Sequence, residues 1–182
     1  MESLAQKTDT ASLLAAAKNG HNAAFRELYG LYVNAMYNIS YRIVNNKDEA
    51  EDVLQDSFLK AFQNISRFET THAFGGWLKK VVINGSIDQV RKRRISFVPI
   101  DDRTNSVEIE EEDMLFDAET LRSCILELPD NYRVVLTLFL FEDQSHKEIA
   151  ALLNISEGTS KSHFHRAKKK LLTLLNEKKN GF

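Results

Sequence analysis

The chain has 182 residues, room for one or two domains, and a single cysteine, Cys124, which excludes an internal disulfide and fits a reducing cytoplasm. No apolar run approaches the ~20 residues of a membrane span, so no membrane insertion is expected, and Met1-Glu2-Ser3-Leu4 lacks the basic-then-apolar layout of a signal peptide. The net charge of −2 is not the footprint of a protein that coats DNA unaided.

Only seven glycines and two prolines interrupt the chain, and no alternating strand pattern stands out, so the expected fold class is all-α. A short helix is predicted near 10–18, ending at Asn19-Gly20. A long one follows from about Asn22 to Val44, with Phe25, Leu28, Tyr29, Tyr32, Met36, Ile39 and Ile43 at helical spacing, until Asn45-Asn46 breaks it. A third helix is predicted from about Asp48 to Phe62. Ala50, Val53, Leu54, Phe58 and Ala61 make its buried stripe, and Asp48, Glu51, Asp52, Gln55 and Asp56 its acidic remainder. The helix dipole explains first-turn acids but explains Gln55 and Asp56 less well; an acidic face suits a partner with basic side chains.

A fourth helix is predicted from about His72 to Arg94. Trp77, Lys80, Asn84, Asp88 and Arg91 recur at three- or four-residue steps and share a face. An aromatic ring among basic groups suits single-stranded nucleic acid, where bases stack and phosphates pair. The plainer alternative puts Trp77 in the core and pairs Asp88 with Arg91 or Lys92. The helical pattern is then lost to about residue 116, through Pro99 and an acidic run. Charge is segregated here: residues 77–94 carry six cations against Asp88, and residues 101–113 carry seven acids against Arg103. Two basic blocks separated by an acidic one suggest two nucleic-acid contacts joined by a segment that avoids DNA.

Helices resume at about Asp117–Leu128, stop at Pro129, and run again from about Asp130 to Phe141. Cys124 lies with Leu121, Ile125 and Leu128 in an apolar pattern, which reads as core and not as a nucleophile. Ser145 and Glu148 then form a capping-box pattern, Ile149, Leu152 and Leu153 an apolar stripe, and Ser156 a candidate N-cap after a tight turn. This layout is a helix-turn-helix, whose second helix enters a DNA major groove. At about 100° per residue, Phe164, Ala167, Leu171 and Leu175 face the core. Ser162, His165, Arg166 and Lys169 face away, with Lys161, His163 and Lys170 flanking. Ser160 is a polar misfit on the core side. No Gly-rich phosphate loop, zinc motif or nucleophile elbow is present, and His163 and His165, two apart, cannot share a metal; neither cofactor, metal nor catalytic residue is expected.

These pieces resemble, in order, the parts of one family. Asp48-Glu49-Ala50-Glu51-Asp52-Val53-Leu54-Gln55-Asp56-Ser57-Phe58-Leu59-Lys60-Ala61-Phe62 resembles the region 2 helix of extracytoplasmic-function (ECF) sigma factors, within the sigma-70-like family. Phe74-Gly75-Gly76-Trp77-Leu78, with Asn84, Asp88 and Arg91-Lys92-Arg93, resembles the promoter helix that follows. Leu128-Pro129, Arg133, Ser145 to Ala150 and Ile155 to Ala167 resemble region 4. The resemblance runs from about residue 20 to 175. It implies two small helical domains on a flexible acidic linker: an N-terminal helix or tail over 1–19, region 2 over 20–95, the linker over 96–116, and region 4 over 117–182 with its helix-turn-helix at about 145–166.

The implied function is transcription initiation without catalysis: binding core RNA polymerase and directing it to promoter DNA. By the same resemblance, Asp48, Glu51, Asp52, Gln55 and Asp56 correspond to the surface that docks on a coiled coil of the largest polymerase subunit. Trp77, Lys80, Asn84, Asp88 and Arg91, with the loop at about Asn64–His72, correspond to the −10 reader, and Lys161, Ser162, His163, His165, Arg166 and Lys169 to the −35 reader. The linker would thread through the polymerase interior in place of the transcript. An anti-sigma factor is the implied regulatory partner, and the cytoplasm the implied location. Three positions depart from the family pattern: Gly76 stands where housekeeping relatives carry a melting aromatic, and Ser160 and His163 stand where an apolar residue and an arginine are common. The competing reading is a stand-alone helix-turn-helix regulator, which would bind duplex DNA alone, commonly as a dimer.

Overall fold

The computed structural model describes residues 11–93 and 117–180, which are helical throughout apart from short connections. Helix α1 (11–18) precedes α2 (Asn22–Val44), α3 (Lys47–Gln63) and α4 (Thr71–Lys92); then come α5 (Ala118–Leu126), α6 (Asp130–Leu140), α7 (His146–Leu153) and α8 (Glu157–Asn180). The chain divides into two compact units after Lys92. The sequence-expected linker, 96–116, and the expected tail before residue 11 lie outside the described residues.

Short polar residues set the helix ends. Gly20 turns the chain at φ +80° after α1. Asn45 closes α2 in the left-handed region at φ 53°, its N–H donating to Tyr41 O, and Asn46 opens α3 by accepting from Glu49 N at 3.1 Å. One Asn-Asn pair thus ends one helix and starts the next. Asp117 caps α5 by accepting from the N–H groups of Glu119 and Thr120, and those bonds, with that of the Thr120 hydroxyl, hold its carboxyl below the usual carboxylate range. Pro129 stands at the N-cap of α6, where its missing N–H costs nothing.

In the first unit α2, α3 and α4 run up, down and up. Phe25 meets Phe62 edge-on at 4.9 Å and Tyr29 lies 4.6 Å from Phe58, so α2 and α3 are antiparallel. Leu28, Ile43, Phe74, Leu78, Val82 and Val90 are fully buried between the helices. Each such side chain contributes about 1.5–3 kcal/mol, and truncating Leu78 to Ala would cost about 2–5 kcal/mol. Ser86 donates to Val82 O at 2.7 Å, which leaves the Ser40 hydroxyl, 3.0 Å away, to donate to it across the α2–α4 seam.

The third-helix stripe is buried as the spacing predicts. A 3₁₀ turn at Ile65–Arg67, within the stretch expected as loop, tucks Ile65 and Phe68 into the core before α4. In the second unit α5, α6 and α8 enclose Cys124, Ile125, Leu128, Tyr132, Leu136, Ala167, Leu171 and Leu175. Cys124 is wholly buried, and that burial pushes its thiol up, as suits a small core residue.

Candidate polymerase and nucleic-acid interfaces

Burying one side of α3 leaves the other to solvent. Asp48, Glu51, Asp52, Gln55 and Asp56 are all exposed. Leu59, 58% exposed, continues this face toward the C-terminus of the helix. Beside it, Asp52, Gln55, Asp56 and Lys60 line a surface trough of 390 Å³ whose far wall is α4, through Gly85, Asp88, Gln89 and Lys92.

On α4, Lys80, Asn84, Asp88 and Arg91 are exposed along one stripe, as their spacing predicts. Asp88 accepts from Arg91 at 3.3 Å; Lys92 instead donates to Gln89 Oε1 at 3.0 Å. Both ends of the Asp88–Arg91 pair are well exposed, so it contributes at most about 1 kcal/mol. Trp77 is neither core nor free: it is half-buried with its ring 5.4 Å from that of Phe68. The two glycines before it differ. A Cβ on Gly75 would come within 2.7 Å of Tyr32 Cε1, and Tyr32 is fixed by donating to Thr71 O at 2.9 Å. A Cβ on Gly76 would meet nothing within 4 Å.

The helix-turn-helix forms as the sequence predicts. Ser145 and Glu148 make a reciprocal capping box on α7, and Asn154 ends α7 in the left-handed region at φ 56°. The Ser156 hydroxyl accepts from Thr159 N at 2.9 Å to start α8. Lys161 and His165 are exposed, while Ser162, Arg166 and Lys169 are half-buried. Lys161 is held by Glu157 at 2.7 Å, one turn earlier.

His163 requires a correction. Expected at the flank of the DNA face, it is completely buried, with its ring edge-on to Tyr132 at 5.7 Å, and neither ring nitrogen has a hydrogen-bond partner among the described residues. Desolvation, with help from the Arg166 charge, lowers its pKa from the ordinary 6.5. The physical reason is spacing: 163 lies four residues before Ala167 and three after Ser160, so it belongs to the core stripe. The misfit Ser160 is buried too, but it is satisfied, sharing a 3.0 Å hydrogen bond with His146 Nδ1. His146 in turn stacks on Phe139 at 4.5 Å, and burial lowers its pKa.

Arg133, quoted above only as part of the region 4 pattern, is structural. It is 1% exposed, donates to Leu128 O at 2.8 Å and pairs with Asp130, locking the start of α6 to the end of α5. Among the described residues there is no group of three or more His, Cys, Asp and Glu side chains that could hold a metal ion, and no helix long and apolar enough to cross a membrane.

Comparison with known proteins agrees with this layout. Residues 28–95 match the sigma-70 region 2 family and residues 118–171 match sigma-70, region 4. The ECF RNA polymerase sigma factor SigW of Bacillus subtilis (strain 168) is 32% identical over 169 residues, spanning 85% of this chain and 90% of SigW. SigM of the same organism is 33% identical over 162 residues, spanning 82% and 94%. Among solved structures, the sigma factor RpoE in complex with the anti-sigma factor NepR from Bartonella quintana superposes with a TM-score of 0.53 at 25% identity, covering 84% of this chain and 96% of that one. A stand-alone helix-turn-helix regulator would need no region 2, and the relatives match both parts together. The chain belongs to the ECF RNA polymerase sigma factors.

Proposed function

We propose that the exposed face of α3 docks core RNA polymerase, the polar stripe of α4 meets the −10 element, and the outer face of α8 meets the −35 element. The chain is a transcription initiation factor, and the chemistry of RNA synthesis belongs to the polymerase. The observation that carries the assignment is that each of these helices buries one side and leaves the side chains named for its partner exposed or half-buried on the other. Asp48, Glu51, Asp52, Gln55 and Asp56 offer carboxylates and an amide to a basic surface. Trp77, Lys80, Asn84 and Arg91 offer a ring and donors to unstacked bases. Lys161, Ser162, His165, Arg166 and Lys169 lie beyond a capped turn, where a recognition helix enters the major groove. His163 supports that helix from beneath.

On this reading residues 20–95 and 117–182 are the two functional domains, 96–116 joins them, and 1–19 precede the first, with Leu14 and Ala17 of α1 buried. The protein acts in the cytoplasm, where its polymerase is. The complex of the relative RpoE with NepR supports an anti-sigma factor as a further partner. Run-off transcription from a cognate promoter with purified core polymerase tests the whole assignment. Transcripts should require both proteins, and substitutions on α3, α4 and α8 should fail at core binding, −10 discrimination and −35 discrimination respectively. Specific, nanomolar promoter binding by the free protein would overturn it.

A further inference from the structure

The trough between α3 and α4 has two walls, and only one of them belongs to the docking face described above. Asp52, Gln55, Asp56 and Lys60 form the α3 wall; Asp88, Gln89 and Lys92 form the α4 wall. Its floor is Val53, Ser57 and Gly85. A Cβ on Gly85 would stand 3.2 Å from Val53 Cγ1 and 3.9 Å from Ser57 Oγ, so the absence of a side chain there keeps the floor low. At 390 Å³ the trough is near the small end of ligand pockets, about 300–1,000 Å³. One turn of helix, about 10 Å across and 5.4 Å long, would by itself fill a volume of this order, so the trough takes side chains that a helix projects and not the helix itself. Its lining is polar, which does not suit an apolar ligand, and the carboxylates of Asp52, Asp56 and Asp88 outnumber the ammonium groups of Lys60 and Lys92, which favours a cation over a phosphate backbone.

We infer that this trough is a socket for a long basic side chain projecting from the polymerase helix that docks on α3, with Asp88 and Gln89 of α4 accepting hydrogen bonds alongside Asp52 and Asp56. The inference rests on the docking reading of α3. Arginine fits best, because its guanidinium presents five donors in a rigid fork and can reach carboxylate and amide oxygens on both walls. On the α3 wall the acceptors are open: among the described residues Asp52, Gln55 and Asp56 make no side-chain hydrogen bond or ion pair. On the α4 wall Asp88 accepts from Arg91 and Gln89 from Lys92, so an incoming guanidinium would share Asp88 with Arg91 and displace the exposed Lys92 from Gln89. Asp48 and Glu51, on the same side of α3, extend the negative field that would draw the cation in. Helix α4 then serves two partners: Trp77, Lys80 and Asn84 on the promoter side, Gln89 on the polymerase side, and Asp88 on the rim between them.

The test titrates the full chain with core polymerase. Gln89→Arg puts a like charge in the socket and should weaken core binding roughly tenfold or more. Its −10 discrimination, measured on a promoter panel at saturating core, should stay as in the wild type. Lys60→Glu replaces a rim cation with a carboxylate and should tighten core binding about two- to five-fold. Asp52→Ala with Gln55→Ala is the reference: if it leaves core affinity unchanged, the docking reading itself fails. If the reference weakens binding while Gln89→Arg and Lys60→Glu do not move it in these opposite directions, α3 docks and the socket is refuted. A change in −10 discrimination without a change in core affinity for Gln89→Arg would assign that wall to the promoter and equally overturn the proposal. Should Gln89→Arg unfold, Lys60→Glu, at an exposed position, decides by its sign.

Discussion

Replacing His163 with Leu should make the second unit more stable, although the sequence reading places this histidine at the flank of the −35 face. The side chain is 0% exposed, and neither ring nitrogen has a partner among the described residues. A buried polar group left unsatisfied costs about 1–3 kcal/mol, and an apolar side chain of similar size removes that cost. Leucine would forfeit the edge-on contact with Tyr132, of order 0.5–1.5 kcal/mol. The net gain is therefore about 1 kcal/mol at pH 7.5, or roughly 4–8 °C in the melting of a unit this small.

The gain should grow on acidification. Burial lowers the His163 pKa from 6.5, so between the two values the unfolded chain holds more protons than the folded one. Stability is then retained above 6.5 and falls as pH drops below it, by at most about 1.4 kcal/mol per unit for this group. His146, whose pKa is also lowered, adds a second contribution that the substitution leaves in place. The assay is circular dichroism melting between pH 7.5 and 5.5. The fluorescence of Trp77, the one tryptophan, lies in the first unit and serves as an internal reference that should not shift. A stability gap that stays constant or reverses as pH falls would refute the burial argument. A loss of −35 discrimination in His163→Leu, with stability unchanged, would restore histidine to the DNA face.

Arg166→Ala should lower −35 discrimination by about 1–3 kcal/mol if it reads a base edge, measured as relative binding of holoenzyme across a −35 panel; an equal loss on all sequences would make it a phosphate contact. Gly75→Ala should destabilise the first unit by about 1–3 kcal/mol, because its Cβ would be driven into the fixed Tyr32 ring; Gly76→Ala should be neutral or slightly stabilising, since it meets open space within a helix. Melting followed by Trp77 fluorescence distinguishes the two, and equal effects would contradict the packing described here.

Much of this architecture was legible because its boundaries are chemical. Asn45-Asn46, Pro129 and the Ser145–Glu148 box each have a local reason to end or start a helix, and the structure places them there. The 3₁₀ turn at Ile65–Arg67 was not legible, since three residues are too few for a period; Ile65 and Phe68, two apolar residues in a polar stretch, were its only trace. The exposed faces of α3 and α4 followed from spacing alone. His163 falls at the flank of the wheel when the core arc is drawn through Phe164, Leu171 and Leu175; the buried arc instead runs through Ser160, Ala167 and Leu171, which puts His163 inside it. The trough could not be read from either helix, because it exists only where α3 and α4 lie side by side, and Gly85 signals nothing until α3 brings Val53 and Ser57 within 4 Å of where its Cβ would stand.

The segregation of charge explains why such a chain would need a polymerase to hold a promoter. Residues 160–179 carry seven cations against Glu177 alone, which looks sufficient for duplex binding. Yet Lys161 is held by Glu157 at 2.7 Å and Lys178 by Glu127 at 2.6 Å, so two of the seven are already neutralised within the second unit. Pairing lifts the Lys178 pKa and lowers that of Glu127, so both stay charged, and tied to each other, at neutral pH. At most five cations remain to displace counterions, which sets the slope of log K against log salt no steeper than about −4.5. The acidic face of α3 opposes even that. The free protein should therefore bind promoter duplex weakly, with a salt slope shallower than −4.5, and should gain sequence preference only with core polymerase present. A steeper slope for the free chain would mean that it brings more cations to DNA than α8 can supply, and that the stripe of α4 engages duplex without help.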